Sequence, residues 1–370
     1  MTQSSKEEKL FVTMFFECSN IELVKDVAQI PWVLGNKYGL NTLLVSSNID
    51  KTGAGLSNVP GLNIEIFPMV FNNSKITGFW YILKNAKKIN WLNIYHCDRK
   101  SLYWALFFKF LNSSGKVYLK LDADFRNCEM IQQYPEKRKT FQKCMSVMDL
   151  VSVESEAVKN CLQKYTNKEI ALIQNGYCES NNSSLETEKE NIFLTVGRLG
   201  TKQKATDVLL QAFVKVAEKT DWKLRLVGKV EEGFEEYIAE YFKKNPELQS
   251  RVEFVGLITN RDELNNEYKR AKVFVLPSRW ESFGLVLPEA MSNGCRLLAT
   301  KEVPPIKEMT SQGKYGKIVP ADDVRALEEA MIEITNDNYS EEYILEISEY
   351  AKKNYSWDAI CDRLYNILTK

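Results

Sequence analysis

At 370 residues the chain is long enough for two domains, each with a core of its own. Apolar residues make up 44% and charged residues 26%, the proportions of a globular enzyme. Lys plus Arg and Asp plus Glu both number 49, so no net charge argues for nucleic acid as a partner, and the lone histidine excludes chemistry that needs several imidazoles.

The first eight residues, Met1 to Glu8, are polar and hold no apolar segment of a secretory signal, which predicts a cytoplasmic protein. Strand-length apolar runs then alternate with helical patterns. Leu10–Phe16, Thr42–Ser46, Asn63–Phe67, Leu92–His96, Val117–Asp122, Val151–Val153 and Ile170–Gln174 read as strands, and Ile21–Tyr38, Gly78–Ile89 and Ser101–Leu111 as amphipathic helices between them. Short apolar strands separated by helices predict a parallel sheet covered on both faces. The longest apolar stretch, Tyr103 to Leu111, is interrupted by Lys109 and is too short to span a bilayer.

Cys178–Glu190 (CESNNSSLETEKE) has almost nothing to bury and reads as a linker. Beyond it the alternation restarts, with strands at Ile192–Val196, Leu224–Val227, Val252–Val255, Val273–Leu276 and Arg296–Ala299 and helices at Asp207–Glu218 and Asp262–Arg270. Eight cysteines without CxxC spacing read as reduced thiols, not as a disulfide framework or a zinc site.

Two segments carry chemistry. In Val273 to Met291 (VFVLPSRWESFGLVLPEAM) a buried strand leads through a loop with Glu281 and Gly284 into a helix expected to start near Pro288. That start sets Glu289 in the first turn, beside free amides that can hold anionic oxygens, and Gly284 admits a ligand close to the backbone. As an isolated pair the two carboxylates are also consistent with a dipole-stabilising Glu and a solvated loop charge. In Ile192 to Asp207 (IFLTVGRLGTKQKATD) a second strand ends in a glycine turn with Arg198 and Lys204, and a helix capped near Thr206 or Asp207 follows. A guanidinium fork and an ammonium at the carboxyl end of a strand suit a diphosphate.

Together, VGRLGTKQKATDVLLQAF and ESFGLVLPEA resemble the GT-B glycosyltransferases, and specifically the retaining type called family 4, whose hallmark is two Glu separated by seven residues. The resemblance runs from about Glu190 to Lys370 and includes Leu226-Val227-Gly228, Phe254-Val255-Gly256 and Tyr355-Ser356-Trp357. In the first half it is mainly architectural, with Gln174-Asn175-Gly176 as the usual end of the domain.

The resemblance implies an α/β GT-B fold of two Rossmann-like doubly wound domains facing a cleft. Residues 1–186 would bind the acceptor and 187–354 the nucleotide-sugar donor, with a last helix, 355–370, crossing back. It implies that Arg198 and Lys204, after Gly197, bind the donor diphosphate, that Glu289 takes the ribose, and that Glu281 faces the transferred sugar. The backbone of Ser282, Phe283, Gly284 and Leu285 would touch the sugar or the distal phosphate, and Leu257 and Ile258 would border the base. The implied reaction moves a sugar, with a UDP-sugar favoured, to a hydroxyl of a glycan or lipid-linked acceptor with retention, in bacterial surface glycan or glycolipid assembly. No cofactor and no metal are expected, because cations and helix N-termini stabilise the leaving diphosphate. An epimerase on the same fold and a non-catalytic nucleotide-sugar or glycan-binding subunit are the rival readings.

The chain departs from the family pattern in its first half. Asp122 stands where a histidine is common, which makes it a catalytic candidate, and Asp122 with Asp124 reads either as a metal site or as sugar contacts. His96, at the preceding strand end, is a further candidate, as are Ser19 and Asn20, which replace a glycine-rich loop and can equally be plain helix caps. Between Lys75 and Lys143 fourteen basic residues meet five acidic ones, interleaved with Trp80, Trp91, Trp104 and several Phe and Tyr. Most of these rings are expected in the core. Those exposed beside lysines would let the first domain rest peripherally on the anionic inner face of a membrane.

Overall fold

A computed structural model of the chain describes residues 10–49, 54–178, 188–337 and 339–370. The chain divides into two compact units, residues 1–178 with 357–370 and residues 179–356.

In the first unit β1 (Leu10–Met14), β2 (Asn41–Ser46), β3 (Ile64–Ile66), β4 (Ile89–Tyr95), β5 (Lys116–Lys120), β6 (Leu150–Val153) and β7 (Ala171–Leu172) form one parallel sheet in the order β3-β2-β1-β4-β5-β6-β7. In the second, β8 (Glu190–Val196), β9 (Lys223–Val227), β10 (Val252–Gly256), β11 (Ala271–Leu276), β12 (Arg296–Thr300) and β13 (Gly316–Val319) are ordered β10-β9-β8-β11-β12-β13. Both sheets are doubly wound, and in each the winding reverses beside the first strand, between β1 and β4 and between β8 and β11. Loops leaving the carboxyl ends of those strands diverge and open a crevice where ligands bind in such sheets.

Central strands are apolar throughout because helices cover both faces. On one face of the first sheet, helices Ser74–Asn85 and Arg99–Leu111 bury Tyr81, Ile82, Leu102, Ala105 and Phe108 against Val12, Leu92 and Ile94. On the other, helix Trp357–Leu368 returns to this unit and buries Trp357, Ile360, Cys361 and Leu364, a helical repeat, against Phe11, Leu34, Tyr118 and Leu150. Tyr365 stacks on Tyr38 at 3.9 Å, and Lys37 pairs with Asp362 at 2.6 Å.

Several local expectations are corrected. β13 is absent from the sequence reading because this short edge strand, GKIV, carries a lysine and only two fully buried residues. Most of the predicted linker, 179–187, lies outside the described residues, but its end is no linker. The Lys189 ammonium is buried against the carbonyls of Tyr268, Ala271 and Asn293, and Glu190 begins β8. The helix expected near Pro288 starts at Val286, so Pro288 is its third residue, where a missing N–H costs nothing because the first four have no helical partner. Thr206 does not cap its helix; Ala205, at φ 49°, precedes it in left-handed conformation, and the Thr206 hydroxyl accepts from the Gly200 N–H at 2.9 Å.

Candidate functional site

In the second unit the loop after β8 and the loop after β11 are tied into one structure at the crevice. Gly197 leaves β8 beside Gly228, which leaves β9; a Cβ on Gly228 would lie 1.8 Å from the Gly197 carbonyl oxygen, so the approach requires glycine. Arg198 follows, exposed, with Nη2 donating to Gln203 Oε1 at 3.0 Å. The Lys204 ammonium reaches Glu281 Oε1 at 2.5 Å; Ser278 Oγ donates to the same oxygen at 2.8 Å and Gln203 Nε2 to Oε2 at 3.3 Å. Glu281 is 7% exposed, and these three donors from two loops offset the cost of burying its charge.

Gln203 and Arg279 were missed by sequence reasoning. Gln203 also donates to the Trp280 carbonyl at 3.0 Å, and its own carbonyl accepts the Arg279 N–H at 2.8 Å. Arg279 pairs with Asp207 at 2.9 Å and Asp322 at 2.6 Å, and these two acids hold its guanidinium above its ordinary pKa. No spacing in the sequence marks either residue, since each acts through partners some forty to eighty positions away.

Glu289, in the first turn of helix Val286–Ser292, accepts from Arg261 at 2.9 Å and from the Tyr268 hydroxyl at 3.0 Å. Burial first, and then the neighbouring Glu289 carboxylate, push the Tyr268 hydroxyl well above its ordinary pKa, so it remains a donor. Gly284 is left-handed at φ 79°, its carbonyl accepting from the Leu287 N–H at 2.9 Å, with Phe283 buried and Ser282 and Leu285 half-buried. Leu257, 66% exposed, and the half-buried Ile258 follow β10.

In the first unit His96 and Asp122 end the adjacent strands β4 and β5, each one or two residues past the last pair of the ladder. Both are exposed, both are left-handed at φ 63° and 48°, and both line one hollow with Cys97, Asn127, Lys137 and Phe141. Two non-glycine residues in that conformation at neighbouring strand ends store strain that the packing around them must hold. Beneath them Lys120, fully buried, pairs with Glu154 at 2.6 Å and Asp26 at 3.6 Å, while Glu154 also accepts the Ala123 N–H at 3.3 Å. Desolvation outweighs that ammonium and, with the Asp122 charge, raises the Glu154 carboxyl to about 7.

Asp124 does not join His96 and Asp122. It is buried as the N-cap of helix Phe125–Gln133, in a capping box with Asn127, and is paired to Arg126 at 2.5 Å. Ser19 is likewise a cap, of the short 3-10 helix Asn20–Val24, reciprocated by Glu22, and Asn20 is that helix's first residue. The hollow between the ends of β1 and β4 is lined instead by Phe15, Phe16, Glu17, His96, Lys100 and Trp104.

The fold and the paired loops define a class, the GT-B glycosyltransferases. Residues 179–354, nearly all of the second unit, match the family model of glycosyl transferases group 1. A 41.2 kDa protein of the cps region of Klebsiella pneumoniae is 26% identical over 76% of this chain and 75% of that protein. The lipopolysaccharide core biosynthesis mannosyltransferase LpsB of Rhizobium meliloti is 32% identical over 36% of the chain and 39% of that protein. Among solved structures, HepE from Anabaena in complex with UDP and glucose superposes with a TM-score of 0.70 at 16% identity, covering 98% of this chain and 99% of that one. The lipopolysaccharide outer core galactosyltransferase WaaB in its apo form gives 0.72 at 15% identity, covering 98% of each.

Proposed function

We propose that this glycosyltransferase moves a sugar from a nucleotide-diphosphate sugar, a UDP-sugar in the first instance, to a hydroxyl of a glycan or lipid-linked acceptor with retention of configuration. The observation that carries the proposal is the joining of Arg198, Lys204 and Glu281 at the switch point of the second sheet. The Arg198 fork and the Lys204 ammonium take the diphosphate oxygens, on which negative charge grows as the glycosidic bond breaks, and they act where a metal would otherwise be needed. Glu281 accepts from hydroxyls of the transferred sugar once Lys204 turns to the diphosphate. The backbone of Ser282, Phe283, Gly284 and Leu285 borders the sugar and distal phosphate. Glu289 takes the ribose hydroxyls, and Leu257 and Ile258 flank the base.

The acceptor belongs to the first unit, with His96 and Asp122 as its polar contacts. HepE, similar in fold, is described with UDP and glucose, and LpsB and WaaB are named as a mannosyltransferase of lipopolysaccharide core biosynthesis and a lipopolysaccharide outer core galactosyltransferase, which supports a UDP-sugar and a surface-glycan role.

Thermal shift against UDP-, GDP-, ADP- and CMP-sugars, with a chelator present, tests the proposal. A UDP-sugar is expected to raise Tm, and Arg198→Ala to abolish the rise. A flat response to all four, or a response only after a divalent ion is restored, would sink the metal-free donor site.

A further inference from the structure

Helices Ser74–Asn85 and Arg99–Leu111 run side by side over the first sheet, with Phe79 against Phe107 at 5.3 Å. Their inner faces already satisfy the core through Tyr81, Ile82, Leu102, Ala105 and Phe108. An outer helical face is ordinarily polar, yet here it presents Trp80, Leu83, Tyr103, Leu106 and Phe110, the last 83% exposed.

The charges around these rings are mostly of one sign. From Ser74 to Leu111 there are seven Lys and Arg and one carboxylate, Asp98, which is occupied as the N-cap of helix Arg99–Leu111, and the neighbouring Asp149 is taken up by Lys109 at 2.6 Å. The Lys84 ammonium lies 5.8 Å from the Trp80 ring and the Lys75 ammonium 5.2 Å from Tyr103, while Lys87 and Lys88 are exposed where the first helix ends. Apolar rings set among ammonium groups match the two layers of an anionic bilayer surface, acyl boundary and phosphate headgroups. A second copy of the chain fits poorly, since a two-fold contact sets lysine against lysine while the nearby Asp149 is already paired with Lys109.

We infer that this two-helix face docks the protein on an anionic lipid surface. The contact is peripheral, because among the described residues no helix is long and apolar enough to cross a membrane. It involves no residue of the proposed donor site, so its test succeeds or fails independently of that reading.

The test is cosedimentation of the full chain with vesicles of phosphatidylcholine alone or mixed with phosphatidylglycerol. Binding to the mixed vesicles, weakened by salt, is expected. Lys84→Gln with Lys87→Gln should lower partitioning about thirtyfold, at the strength of a lysine near such a surface. Leu106→Ser with Phe110→Ser should lower it about tenfold, and neither pair should move Tm, since all four side chains lie outside the core. Failure to bind the mixed vesicles, equal binding to both kinds, or unchanged binding by both double variants overturns the inference. So does concentration-dependent self-association without lipid that Phe110→Ser abolishes, which would assign the face to a second copy.

Discussion

The Lys204 ammonium and the Glu281 carboxylate, 77 positions apart, meet at 2.5 Å and fasten the loop after β8 to the loop after β11. Both side chains are largely shielded, at 17% and 9% exposure, so each is the other's principal compensation for lost water.

Removing one partner therefore leaves a buried charge. Lys204→Met or Glu281→Gln alone should cost about 3 kcal/mol in urea unfolding, and the double variant clearly less than their sum. Strict additivity would show that the contact carries no coupling.

Glu289 has a structural and a proposed binding duty, and two substitutions separate them. Glu289→Ala deprives the buried Tyr268 hydroxyl of its acceptor, a loss of about 2 kcal/mol. Glu289→Gln keeps an acceptor and should hold Tm near that of the parent. Calorimetry with UDP should find affinity reduced about tenfold in both, as a charge-assisted bond is lost. Undiminished affinity in Glu289→Gln would remove Glu289 from the ribose site.

Two glycines at strand ends predict opposite outcomes. Gly228→Ala drives a methyl into the Gly197 carbonyl at φ 137° and should cost more than about 3 kcal/mol while displacing Arg198. At Gly256, φ 89°, a methyl meets nothing within 4 Å, so Gly256→Ala should cost only about 1 kcal/mol of backbone strain. Comparable denaturation midpoints for the two would contradict this account.

Glu154 predicts a pH dependence. Its carboxyl, raised from 4.5 to about 7, keeps a proton in the folded protein that the unfolded chain releases. The folded state binds more protons in that window, so this group's contribution falls as pH rises from about 4.5 and levels off above about 7. In Glu154→Gln this contribution disappears, while Asp26, itself raised by burial, remains as the carboxylate partner of Lys120. The difference between the two stability curves isolates the effect from carboxylates shifted the other way, such as Asp362, whose bonds to Lys37 and Tyr38 lower it against its burial. A flat difference curve is the contrary result.

The sequence by itself determined the two α/β repeats, the glycine turn with Arg198 and Lys204, and the Glu281–Glu289 spacing. These are local facts: strand and helix periods, glycines at strand ends and motif spacing are written in neighbouring residues. Tertiary structure alone decided what each side chain does. Asp124 became a cap because the free Asn127 amide lay within its reach, and Ser19 because the Glu22 carboxylate reaches back to its N–H and hydroxyl, whereas His96 and Asp122 were brought to one hollow by the pairing of β4 with β5. Gln203 and Arg279 became the clasp between two loops because β8 and β11 are sheet neighbours though far apart in the chain. Which distant partner a polar group finds depends on how strands are ordered, and no local pattern of residues encodes that order.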